Sequence, residues 1–176
     1  MNLQDVMIDL ETLGTGPKAV VLSIGAVFFD KEELGNTFYA VLDTLSQETA
    51  GRVVDPKTVQ WWSEQSEEAK TVLTAPQIPT GGVLHAFVSY LRATDIRIWG
   101  NGATFDNVIL ASLFEDFGVP KPWGYSADRC YRTLRNISNV RGQLPNREGT
   151  YHNALDDAIY QAKCAQLYLK GSIELG

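Results

Sequence analysis

The sequence predicts a mixed-sheet α/β domain, on three observations. Three β-rich runs lead the chain, helical patterns then alternate with further short strands, and neither a repeat nor a composition shift marks a second unit. With 176 residues, 44% hydrophobic and 20% charged, the chain has material for one ordinary core. A single domain over residues 1–176 is expected.

The leading strands are Asp5 to Leu10, Val20 to Phe29 and Gly35 to Leu42. The polar stretch from Asp30 to Asn36 joins the last two as a hairpin turn. Asp55-Pro56 opens a helix-rich middle, with helices expected over Pro56 to Ser63, Ser66 to Thr74, and Thr80 or Gly81 to Arg92. Ile96 to Trp99 reads as a fourth strand running into Gly100-Asn101-Gly102. A helix from Phe105 to Phe117 follows, stopped by Gly118 with Pro120 beyond. Pro122 to Ser126 reads as a short strand and Arg129 to Ile137 as a helix. A Gly/Pro/Asn-rich loop, Arg141 to Thr150, precedes a final helix from His152 to Leu169.

Composition excludes several classes. The longest apolar stretch, Val20 to Phe29, is broken by Ser23 and Gly25 and is half the about 20 residues that cross a bilayer. The first five residues lack the basic start and apolar run of a signal peptide. Cys130 and Cys164 stand far apart without metal-type spacing, as reduced thiols of a cytoplasmic protein would. The net charge of −6 is unevenly spread. Between Lys121 and Arg147, six basic residues face one acid, Asp128, so that segment carries +5 and the remainder −11. A chain polarised in this way can hold cations in one place and phosphates beside it; the plain alternative is a solvated helix face.

Three acidic constellations carry the chemistry. Asp9-Leu10-Glu11 ends the first strand, where alternation puts both carboxylates on one face. Two acids there repel each other and gain nothing from burial unless a divalent cation lies between them. Asp30-Lys31-Glu32 has the same spacing but sits in a charged turn and is set aside. Asp106 follows a glycine-rich turn into an apolar helix, where the alternative role is an acid on the helix dipole. The last helix opens His152-Asn153-Ala154-Leu155-Asp156-Asp157. Helical geometry pairs His152 with Asp156, while a His152 at or before the first turn leaves Asp157 equally available, so spacing does not choose between them. Asn153 or Asp156 as a helix cap is the plain reading. His85 lies in a helical pattern without acidic neighbours and reads as structural. Gly14-Thr15-Gly16-Pro17-Lys18 lacks the ending of a phosphate-binding loop, and no serine sits in a nucleophile elbow.

Taken in order, Asp9-x-Glu11-Thr12, Asp106 preceded by Asn101 and Phe105, and His152-x-Ala154-x-x-Asp157 resemble the three motifs of the DEDDh (DnaQ-like) 3′–5′ exonucleases. Gly100-Asn101 with His152-x-Ala154-Leu155-Asp156-Asp157 looks like oligoribonuclease. Trp61-Trp62 with Gln65 and a following helix looks like the compact phage and prophage exonucleases. The departure is Asp128-Arg129-Cys130-Tyr131, which lacks the aspartate-threonine pair often found there.

The resemblance implies an RNase H-like mixed sheet flanked by helices. It implies two divalent cations, Mg²⁺ or Mn²⁺, on Asp9, Glu11, Asp106 and Asp157, and His152 as general base. It thereby chooses Asp157 over Asp156. The implied reaction removes 5′-mononucleotides from the 3′ end of single-stranded DNA or RNA. Thr12 and Leu13 amides, Leu13 and Phe105 side chains and Asn101 are expected around the terminal nucleotide, with Arg129 and Arg132 among the arginines on the next phosphates. Of Trp61 and Trp62, about 100° apart on a helix, at most one is expected to be fully buried. An exoribonuclease of short RNA is the nearest alternative. A non-catalytic module that binds nucleic-acid ends or a polymerase is the alternative of another class. The implied location is the cytoplasm of a bacterial or phage-infected cell, and a homodimer is compatible with the sequence.

Overall fold

The computed structural model describes residues 3–91, 95–140 and 144–171. Three antiparallel strands, β1 (Asp5–Thr12), β2 (Val21–Phe29) and β3 (Leu34–Val41), make up three of the five strands of one sheet. Parallel strands β4 (Arg97–Gly100) and β5 (Asp128–Cys130) extend it on the other side, giving the order β3-β2-β1-β4-β5. This is the mixed sheet expected from the sequence, with β1 at its centre. The helices are α1 (Thr44–Thr49), α2 (Pro56–Ser63), α3 (Glu67–Lys70), α4 (Thr80–Tyr90), α5 (Asp106–Asp116), α6 (Tyr131–Ile137) and α7 (Ala154–Lys170).

Period-two alternation along β1 divides its side chains between two layers. Val6, Ile8 and Leu10 face a core shared with Val83, Leu84 and Phe87 of α4 and Ile109, Leu110 and Leu113 of α5. Met7 faces the opposite core, with Trp99, Tyr131, Leu134 and the small residues Ala158, Ala162 and Ala165 of α7. Asp9 and Glu11 have the parity of Met7, so both belong to the α7 side. Covered on two faces, β1 carries the unbroken apolar stretch Val6-Met7-Ile8 rather than a clean alternation.

Several boundaries differ from the sequence expectation. The fifth strand is Asp128–Cys130 instead of Pro122 to Ser126, paired with β4 through Ile98–Asp128, Trp99–Arg129 and Gly100–Cys130. Pro122 has no N–H to give to a ladder, and the expected strand falls in turns and bends. Consequently the next helix begins at Tyr131 and not at Arg129. The helix expected over Ser66 to Thr74 is a single turn, α3, running into a 3₁₀ turn at Thr71–Leu73. The final helix starts at Ala154, because the Asn153 side chain accepts from the N–H groups of Leu155 and Asp156. Helix α1 was not expected at all. Its six residues carry no apolar periodicity; the Asp43 cap and the buried Gln47, bonded to both N–H and C=O of Val21, hold it. Arg92, the expected end of α4, lies outside the described residues, as does Arg141.

Close approach of α7 to β2 depends on Gly25. A Cβ there would lie 2.1 Å from the Ala154 carbonyl carbon and 2.3 Å from the Leu155 nitrogen. Backbone on both sides cannot yield as a side chain does. Gly25→Ala is therefore expected to destabilise the fold by about 3 kcal/mol, the upper end of ordinary overpacking. Gly16→Ala, which meets nothing within 4 Å among the described residues, serves as the control in the same thermal melts.

Candidate active site

Asp9 and Glu11 project from the end of β1 towards the start of α7, and α5 brings Asp106 beside them. Leu10 N–H donates to Asp106 Oδ1 at 3.3 Å, which ties the first turn of α5 to the central strand. Gly100 permits this approach: a Cβ there would lie 2.3 Å from Asn107 Oδ1 and 2.9 Å from Asp106 Cβ. Asp106 is 2% and Glu11 7% exposed. A carboxylate so buried is costly when charged without a counter-ion.

At the other wall, His152 precedes the Asn153 cap of α7 with a left-handed backbone, φ 62°. That conformation is uncommon for a non-glycine residue and directs its N–H at Asp157 Oδ2, 3.1 Å away. Ligand atoms of Glu11, His152 and Asp157 all lie within 4.8 Å of one another. Asp156 turns elsewhere and accepts the Thr150 N–H at 2.8 Å. The geometry thus separates the two neighbouring acids that spacing left open: Asp157 borders the cavity and Asp156 holds the preceding loop.

These groups open onto one cavity of about 820 Å³, bordered by Asp9, Glu11, Asp106, His152 and Asp157. Thr12, Asn101, Phe105 and Arg132 border it too. The Arg132 guanidinium donates to the Asn101 carbonyl at 2.8 Å. Leu13 packs with the buried cluster of Leu22 and Trp62 instead, and its N–H is spent on the Val20 carbonyl. Arg129 is half-buried and donates to the carbonyls of Ser126 and Asp128. Trp62 is 1% exposed with Nε1–H on the Thr12 carbonyl, whereas Trp61 is 40% exposed. The Trp61 ring meets His152 edge-on, 4.9 Å between centroids. His85 is exposed on α4 with Nδ1 2.7 Å from the Gly81 carbonyl.

Two neighbours of the acids escaped the sequence reading. Gln161 Nε2 donates to Asp9 Oδ1 at 2.7 Å. It stands four residues after Asp157, on the same helix face, and that spacing was the available signal. Arg147, read from sequence only as part of the basic segment, donates to Asp157 Oδ1.

Burial drives the electrostatics. It raises the Asp9 carboxyl well above the usual range, helped by the charges of Asp106 and Glu11. Burial, then Asp106, pushes Glu11 up to about 8, and burial pushes Asp106 up to about 7. Burial, with the Arg147 charge second, lowers the His152 imidazole below its ordinary value. For the carboxyls the folded values exceed the unfolded ones, so between about pH 4 and these raised values the folded chain keeps protons that the unfolded chain has lost. Stability of the cation-free protein should therefore fall as pH rises from 5 to 8. Melting curves in EDTA check this, and Mn²⁺ should raise the melting temperature more at pH 8 than at pH 6. A flat EDTA series would contradict the cost assigned to these acids.

The model of the 3′-5′ exoribonuclease Rv2179c-like domain matches residues 4–169. The chain belongs to that family. An exodeoxyribonuclease of Enterobacteria phage T4 is 29% identical over 127 residues, 64% of this chain and 56% of the relative. This Rv2179c-like chain thus spans little more than half the length of that relative. Among solved structures, E. coli Exonuclease I with a dT13 oligonucleotide superposes with a TM-score of 0.64 at 16% identity, over 93% of this chain and 40% of that one. The nuclease domain of 3′hExo, a DEDDh family member bound to rAMP, gives 0.63 at 12% identity, over 97% and 96%. The Rv2179c-like chain therefore has the RNase H-like fold of the DEDDh exonucleases. Among the described residues, no helix is long and apolar enough to cross a membrane.

Proposed function

We propose that this Rv2179c-like protein removes 5′-mononucleotides from the 3′ end of single-stranded nucleic acid, using two divalent cations and His152 as general base. The observation that carries the reading is the convergence of Asp9, Glu11, Asp106, Asp157 and His152, from three distant segments of the chain, on one cavity. The donor set fits Mg²⁺ or Mn²⁺: carboxylate oxygens are hard ligands, and burial leaves Glu11 and Asp106 without the solvation their charge requires. Asp9, Glu11, Asp106 and Asp157 would hold the ions. When bound, such ions neutralise the acids and supply Lewis acidity towards water and phosphate.

The chain's own groups account for the remaining steps. His152, with its basicity lowered, is neutral near pH 7 and can accept the proton of the attacking water at a ring nitrogen. The new bond joins the water oxygen to the terminal phosphorus, and the bond to the preceding nucleotide's 3′ oxygen breaks. That oxygen takes a proton from solvent. Products are a 5′-mononucleotide and a chain one residue shorter with a free 3′ hydroxyl. Phe105 and Trp61 supply apolar surface for the terminal base, and stacking of this kind contributes roughly 1–3 kcal/mol per base. Arg132 and Arg135 border the cavity where following phosphates would lie.

The family description speaks of RNA and the phage relative's name of DNA, so both sugars belong in the assay. Oligomers of each, labelled at the 5′ or the 3′ end, are incubated with Mg²⁺, Mn²⁺ or EDTA. The expected pattern is a 5′-labelled ladder shortening stepwise, a 3′ label released at once as mononucleotide, and no product in EDTA. Release from the 5′ end, or cleavage that persists in EDTA, overturns the reading.

A further inference from the structure

The acids around this cavity need positive charge, and the chain brings some of its own. Arg147 stands on the loop before α7, and its guanidinium donates to Asp157 Oδ1. Both side chains are shielded, at 15% and 14% exposure. The guanidinium lies 3.8 Å from the Tyr151 ring centroid and 5.1 Å from that of Tyr160. Its Nε is buried with no hydrogen-bond partner among the described residues. A buried donor left unmade is a cost, and an arginine serving stability alone fills its fork. Arg52 does so in this same chain, reaching the Ala19 and Pro17 carbonyls and Asp116. Arg147 sits against the one acid without its full set of bonds.

We propose that Arg147 is an exchangeable counter-cation of Asp157, neutralising that carboxylate until a divalent ion binds and displaces it. The inference rests on the reading of Asp157 as a cation ligand. A dication and a guanidinium on one shielded carboxylate repel each other strongly, so the two occupants compete. Asp157 keeps its orientation during the exchange because the His152 N–H holds its other oxygen. The loop stays in place as well, through Thr150 N–H on Asp156 and Lys163 on Glu148. The two tyrosine faces retain the released guanidinium at the cavity wall, where it can take a substrate phosphate.

The test is Mn²⁺ binding to the whole chain without nucleic acid, measured by titration calorimetry and by the rise in melting temperature. Arg147→Met removes the competitor, so Mn²⁺ should bind on the order of tenfold more tightly, with a larger rise in melting temperature than wild type. Arg147→Lys keeps the charge but loses the fork and the ring packing, and should fall between the two. Affinity unchanged or weaker in Arg147→Met overturns the exchange. If that variant does not fold, Arg147→Lys decides, and binding no tighter than wild type overturns it. Asp157→Asn separates the two readings. Loss of Mn²⁺ affinity there keeps Asp157 as a ligand whatever Arg147 does, whereas undiminished affinity removes the basis for both.

Discussion

Asp9→Asn is expected to abolish hydrolysis while leaving the fold intact. The amide is the size of the carboxyl it replaces but brings no charge to hold a divalent ion. Metal-assisted stabilisation of the transition state is worth several kcal/mol. At about 1.4 kcal/mol per tenfold, the rate should fall by roughly 10³-fold or more. Structural damage would look different. Burial first, and then the charges of Asp106 and Glu11, raise the Asp9 carboxyl, so asparagine removes a repulsion. Asp9→Asn should therefore melt no lower than wild type in EDTA, and Mn²⁺ should add less to its melting temperature. Gln161 can rotate its amide to present its oxygen, which has no partner among the described residues, to the new NH₂. Initial rates on a labelled oligomer, with melts at pH 8 with and without Mn²⁺, check both parts. Near-wild-type turnover would remove Asp9 from the cation site.

His152→Asn should slow the reaction by about 10²- to 10⁴-fold, the usual share of a general base. Asparagine is chosen because it tolerates the left-handed backbone that His152 adopts better than most residues. The N–H contact to Asp157 therefore survives, and Mn²⁺ affinity should stay near wild type. The pH profile tells a base from a scaffold. In the wild type, activity should decline on the acid side below the ordinary histidine range, since burial and Arg147 lower the imidazole. In His152→Asn that limb should disappear, leaving a rate that climbs with hydroxide. A loss of rate accompanied by loss of Mn²⁺ binding, with the acid limb intact, would make His152 a support for Asp157 and nothing more.

Much of the site was legible in the chain because it sits where local rules are strong. Asp9 and Glu11 end a strand whose period puts them on one face, and Asp106 starts a helix straight after a glycine-rich turn. Of the paired tryptophans only Trp62 is buried, as their angular separation requires. Other features depend on partners distant in sequence. The last strand could not be located from its own residues, because Asp128–Cys130 is a strand only by pairing with β4. Leu13 followed the core and spent its N–H on Val20, although its position after Glu11 suggested the substrate.

Sequence by itself determined the class of fold and the three acidic segments, since alternation, capping and turn chemistry act over a few residues. The choice between Asp156 and Asp157 was open on spacing and was made by resemblance; the tertiary structure adds that the loop before α7 takes Asp156 for Thr150. Tertiary structure alone decided that Gln161 holds Asp9 and that Arg147 rests on Asp157. Those contacts span 152 and 10 residues, and the spacing from Asp157 gives only the helix face of Gln161: its partner at such a distance is set by where the sheet and α7 meet, and that of Arg147 by how the preceding loop folds back on α7. That meeting is close because Gly25 leaves room for the backbone of Ala154.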